Sequence, residues 1–87
     1  MEEGHKISHQ LIMQNRSCVE LSGVLDVDTF DDSTVVAKTS FGDLSIHGQN
    51  LVVKKLDLES TQLSVEGKVN SLMYSEPTRG LFGRLLR

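Results

Sequence analysis

Gly-Asp-Leu-Ser-Ile-His-Gly at 42–48 returns as Gln-Leu-Ser-Val-Glu-Gly at 62–67, two strictly alternating runs that each end on glycine. Alternation of apolar and polar residues is the period of a strand, because successive side chains on a pleat point to opposite faces. A looser copy, Val-Glu-Leu-Ser-Gly, occupies 19–23. The chain is therefore read as all-β. At 87 residues it is one domain, and a domain this small buries only about 60 to 65% of the surface its unfolded chain exposes. With no Trp, one Tyr and three Phe, the thin core must be packed by Val, Leu and Ile, whose branched side chains suit a pleated face.

Along the chain, 1–8 is polar and without period and reads as a flexible N-terminus, 9–75 as a single β domain, and 76–87 as a linker and basic, apolar tail. Leu11 and Met13 share a face, Val19 and Leu21 follow, and Leu25 and Val27 keep the same parity. Asp31-Asp32-Ser33 is a turn cluster, since short polar side chains bond their own backbone. Inward parity then flips twice, near Lys54-Lys55 and near Asn70-Ser71, as a β-bulge or bend would require. The expected architecture is a small antiparallel β-sandwich or barrel of about seven to eight short strands. Its core face comprises Val19, Leu21, Val27, Val35, Ala37, Leu44, Ile46, Leu51, Val53, Leu56, Leu63, Val65 and Leu72. Gly48 and Gly67 are expected at strand ends, in conformations that a Cβ would strain. The repeated motif also admits a short β-solenoid, although its copies start at 19, 44 and 63, an irregular spacing for stacked units.

Few residues of the chain suggest chemistry. Asp26, Asp28, Asp31 and Asp32 are the densest acids, but a calcium loop counted from Asp26 has Asp31 where glycine is needed and Ala37 where the closing glutamate belongs. They read as a solvated strand face running into a turn. His5 and His9 have no partner at zinc spacing, and His47 lies on a polar strand with no nucleophile elbow near it. The lone Cys18 allows no internal disulfide, which fits a reducing compartment, and Arg16 two residues away is weak support for a reactive thiol. Asn15-Arg16-Ser17 matches a glycosylation acceptor, yet the acidic start is unlike a secretory signal. The chain is thus read as non-enzymatic and cytoplasmic, without cofactor or metal.

Charge separates the two ends. Net charge is −3, but Arg79, Arg84 and Arg87 stand in 79–87 without an acid, which leaves 6 basic against 12 acidic residues before them. Such a body repels phosphates, so nucleic acid is excluded as a partner.

Asn15-Arg16, Gly23-Val24, Phe30-Asp31, Gly42-x-Leu44-x-Ile46-x-Gly48, Gln49-Asn50-Leu51, Lys55-Leu56-Asp57, Leu63-x-Val65-x-Gly67 and Leu72-x-Tyr74 occur in that order. Together they resemble the YabP/YqfC family of sporulation proteins over most of the chain. The ending Gly80-Leu81-Phe82-Gly83-Arg84 is similar to the Gly-aromatic-aromatic-Gly-basic ending of the YabP branch. One departure is Ser60-Thr61, where the family usually has a glycine; it puts the turn type there in question. The resemblance implies a protein of the mother cell of a sporulating bacterium, linked to spore cortex or coat formation, and carries over no catalytic residues.

The tail gives that process a means of contact. Pro77 and Gly80 break the sheet pattern, and Leu81, Phe82, Leu85 and Leu86 fall on one face if the segment turns helical. Arg79, Leu81, Phe82, Arg84, Leu85, Leu86 and Arg87 are accordingly the candidate docking residues. So short a segment holds no helix alone in water. Its partner is read as another sporulation protein or, as the alternative, an anionic membrane surface such as that of the forespore; a homo-oligomer is left open, as is a tail that folds back on its own core.

Overall fold

The computed structural model describes residues 7–76. Six strands follow one another: β1 Gln10–Gln14, β2 Cys18–Ser22, β3 Val24–Phe30, β4 Thr34–Thr39, β5 Gly42–Asp57 and β6 Gln62–Ser75. They form one sheet in the order β1-β2-β6-β5-β4-β3, and every pairing is antiparallel. No helix occurs among the described residues. The sheet is open, with β1 and β3 as its edges, so the expected closed barrel is not formed.

Among the described residues the strands number six, fewer than the seven to eight expected, because β5 and β6 continue for 16 and 14 residues through segments that read as breaks. Register shifts absorb the irregularity. They fall between Val53 and Lys55 and between His47 and Gly48, where Ser71 and Val69 are the successive partners and Asn70 is skipped. These are the two parity flips seen in the sequence. A third, between Gln49 and Val52, goes with Asn50 at φ 56°.

The repeated motif has a structural counterpart. The first part of β5, Gly42–His47, pairs with β4 on one side and with the end of β6 on the other. The first part of β6 pairs with β2 on one side and with the end of β5 on the other. Exchanging β5 for β6 thus exchanges the β3–β4 hairpin for the β1–β2 hairpin. The turns obey the same exchange: Gly48 N donates to Ser33 O (3.0 Å) and Leu51 N to Asp32 O (2.9 Å), while Gly67 N donates to Ser17 O (3.1 Å) and Val69 N to Arg16 O (2.8 Å). The two copies are therefore the matching halves of one antiparallel sheet, each locked at its glycine by the preceding hairpin turn.

Gly48 and Gly67 lie inside β5 and β6 rather than at their ends. They mark where the two long strands approach closely. A Cβ on Gly48 would overlap the carbonyl oxygen of Lys68, and one on Gly67 would stand 2.5 Å from Asn50 O. Gly67 also has φ +137°, which L side chains rarely adopt, whereas Gly48 is required by space alone.

Both halves contribute to a single buried cluster: Val19, Leu21, Leu51, Leu63 and Val65 from one, and Val24, Val35, Ala37, Leu44, Ile46 and Val69 around the other. Val27, Val53 and Leu72 pack against this cluster only partly buried, and Leu56, expected inside, is 44% exposed. Leu25 is exposed and Val24 buried in its place, because a register shift between Val24 and Asp26 reverses the parity of β3.

Side chains brace the turns. Asn15 and Arg16 both have φ 53°, an uncommon conformation for non-glycine residues, and the Arg16 guanidinium donates to Val69 O (2.9 Å) and Asn70 Oδ1 (3.3 Å). At the β5–β6 turn Thr61 takes φ 59°, as a glycine would favour. Its hydroxyl accepts from Gly23 N (3.2 Å) and its carbonyl from Val24 N (3.0 Å), bonds that hold a β-branched residue in a strained state.

Asp31 accepts from Ser33 N (2.9 Å), Ser33 Oγ (3.1 Å) and Thr34 N (2.9 Å), and Asp57 from Glu59 N (3.0 Å) and Ser60 N (3.2 Å). Hydrogen bonds to the ionised form favour it. Bonding from Ser33 first lowers Asp31, and bonding from Ser60 first lowers Asp57, below the ordinary 3.8. The unfolded chain therefore binds more protons across the window below 3.8, so the two carboxylates stabilise the fold above that value and lose their contribution as pH falls through the lowered folded values. Asp31→Asn and Asp57→Asn are expected to flatten the acid limb of a stability-versus-pH curve measured by denaturant titration; an unchanged limb in the double variant would refute the assignment.

Candidate functional site

The residues that suggested chemistry are dispersed by the fold. Asp28 pairs with Lys38 at 3.4 Å, Asp26 accepts from Val27 N at 2.8 Å, Asp31 braces its turn, and Asp32 is joined to β5 through its backbone carbonyl. Among the described residues no three His, Cys, Asp or Glu side chains could hold a metal ion. Cys18 is a half-buried free thiol, and the Arg16 guanidinium donates to Val69 O and Asn70 Oδ1. His47 faces Thr34 on one side and Ser71 on the other along the sheet. His5 lies outside the described residues.

His9 instead joins a group that sequence spacing could not reveal. Its Nδ1 lies 2.7 Å from Ser22 O. A carbonyl only accepts, so Nδ1 carries a proton, and Nε2 shares a hydrogen bond of 2.6 Å with the Tyr74 hydroxyl. The imidazole stacks on Phe41 with centroids 6.2 Å apart and meets Tyr74 edge-on at 5.7 Å. The three come from the segment before β1, the β4–β5 turn and the end of β6. Tyr74 had a signal in the Leu72-x-Tyr74 pair, but nothing in its spacing pointed to His9 or Phe41.

This cluster sits at the end of the sheet where the chain departs. Ser75, the last residue of β6, pairs with Asp43, and Glu76 shares a shallow depression with Leu25, Lys38, Phe41 and Asp43. Phe41 is 55% exposed, Tyr74 49% and Leu25 48%. This end therefore offers aromatic and aliphatic surface with a few polar groups at its rim. The docking residues proposed from sequence, Arg79, Leu81, Phe82, Arg84, Leu85, Leu86 and Arg87, lie outside the described residues, and the segment that carries them begins from this end.

A second concavity of about 310 Å³ lies on the other half, between Ile12, Glu20, Lys55, Gln62 and Ser64. Ile12, Glu20, Ser64 and Lys55 form one row across β1, β2, β6 and β5. Lys55 Nζ donates to Gln62 Oε1 at 2.9 Å. The row offers hydrogen-bonding groups beside an apolar edge.

Among the described residues no helix is long and apolar enough to cross a membrane. The model of the YabP family matches residues 5–80. The chain is 34% identical over 84 residues to spore protein YabP of Bacillus subtilis strain 168, covering 91% of this chain and 84% of that protein. The match extends across all six strands and the turns in which Arg16, Asp31, Gly48 and Gly67 are engaged. The chain belongs to the YabP family.

Proposed function

We propose that this chain is a non-enzymatic interaction or assembly module of sporulation, acting in the mother cell on the spore cortex or coat, and that its C-terminal segment docks it to another sporulation protein. A relative that is itself a spore protein supports the process. The observation that carries the docking role is the exposed surface of Leu25, Phe41 and Tyr74 at the end where β6 stops. It adjoins the one segment with an apolar cluster and a charge opposite to the body. Elsewhere the polar side chains of Arg16, Asp31, Asp57 and Thr61 are engaged in holding turns, which leaves them no catalytic duty.

Arg79, Arg84 and Arg87 favour a second reading, peripheral binding to anionic lipid, at about 1 kcal/mol for each basic residue near the surface. The acidic body opposes that approach. Co-sedimentation of the full chain with phosphatidylserine-containing vesicles, set beside recovery of partners on the tagged chain from sporulating cells, separates the two. Recovery of a defined sporulation protein with the chain remaining in the vesicle supernatant is expected. Salt-sensitive pelleting with vesicles and no protein partner would replace protein docking by membrane docking.

A further inference from the structure

The exchange that relates β5 to β6 also relates the two edge strands, β3 and β1, and they are defended very differently. An edge strand presents unpaired backbone N–H and C=O groups that can template another strand, and proteins blunt such edges with charges and bulges. On β3 stand Asp26 and Asp28, and its register with β4 shifts twice, between Val24 and Asp26 and between Val27 and Thr29. On β1 there is neither device. Gln10–Gln14 carries no charge and no proline, and it pairs with β2 in unbroken register from Gln10↔Ser22 to Gln14↔Cys18. Ile12 is 51% and Met13 41% exposed on it.

The occupant follows from the order of residues. Outward from Ile12, β1 reads the same in both directions by chemical class: Leu11 and Met13, then Gln10 and Gln14. An antiparallel pairing of two copies about a twofold axis through Ile12 sets isoleucine against isoleucine, leucine against methionine and amide against amide. A twofold contact is self-complementary by construction, and any charge near its axis would meet its like. Centred on Val27, β3 would set Asp26 against Asp28 of the other copy; β1 brings no charge to the axis. We infer that β1 is a homodimerisation edge, joining two copies by β1–β1 strand addition into one continuous sheet.

The inference does not depend on the C-terminal segment. A five-residue strand is at the small end of what sustains a specific contact, so the dimer is expected to form with rising concentration. Sedimentation velocity of the full chain across a concentration series tests it, together with amide exchange of residues 10–14, whose protection should rise as the dimer fills. Ile12→Lys sets like charges opposite each other at the axis on an exposed position, and should weaken the dimer by about tenfold or more. Ile12→Glu should do the same, and mixing I12K with I12E should restore a dimer containing one of each. A wild-type chain that stays monomeric with concentration-independent exchange in β1 would overturn the inference. So would dimers of I12K as tight as wild type, or a dimer abolished by removing residues 77–87 but unaffected by I12K, which would place the contact elsewhere.

Discussion

Gly48→Val is expected to lower the melting temperature by about 10 to 20 °C, and Gly67→Val by a similar amount, for different reasons. At Gly48 the obstacle is space: the first carbon of any side chain overlaps Lys68 O, a backbone atom that cannot rotate away. Forcing atoms into a packed site costs about 1–3 kcal/mol and sometimes more, and about 1 kcal/mol moves the midpoint by roughly 4–8 °C in a domain of this size. At Gly67 a Cβ stands 2.5 Å from Asn50 O, and φ +137° adds backbone strain. Each glycine also donates its N–H to a hairpin turn, Gly48 to Ser33 O and Gly67 to Ser17 O, so displacement there loosens the neighbouring hairpin too. Because the first carbon is the cause, Gly48→Ala should already show most of the loss. Thermal melts of the purified variants check this, and an unchanged midpoint in G48A would contradict the close approach of β5 and β6.

Deleting residues 79–87 is expected to abolish partner recovery and localisation at the developing spore while shifting the melting temperature by no more than about 4 °C, the effect of a loss below roughly 1 kcal/mol. Among the described residues the core cluster runs from Val19 to Val69, and a docking role requires that folding depend little on the segment that follows. If Leu81, Phe82, Leu85 and Leu86 instead cover Leu25, Phe41 and Tyr74 of their own chain, the deletion bares apolar surface and the midpoint falls by several degrees. A clear fall with localisation intact would refute the docking role.

Strand character was legible in the sequence because period-2 alternation follows directly from the pleat, and the Leu-Ser-Ile-His-Gly and Leu-Ser-Val-Glu-Gly copies bury Leu44, Ile46, Leu63 and Val65 as their alternation requires. The parity flips at Lys54-Lys55 and Asn70-Ser71 were equally visible, since a bulge leaves its mark on the apolar pattern. Strand continuity was not. Gly48-Gln49-Asn50 reads locally as a turn, and pairing with Val69 and Lys68, together with bonds from Gly48 N to Ser33 O and from Leu51 N to Asp32 O, all distant in sequence, carries β5 through it. The exposure of Leu25 and burial of Val24 escaped for the same reason, since a register shift against β4 set the parity of β3.

The candidate site divides in the same way. The opposite charge and apolar content of the C-terminal segment are properties of composition, visible without a fold, whereas His9, Phe41 and Tyr74 come together from three elements far apart in the chain. Local chemistry along the chain thus determined the all-β class, the family and the two points where glycine ends each alternating run. Tertiary structure alone decided that the two copies are matching halves of one open sheet, that aromatic surface gathers where β6 ends, and that β1 is an edge without charge. These depend on which strands lie side by side, and that is settled by hydrogen bonds and burial between segments that local pattern cannot pair.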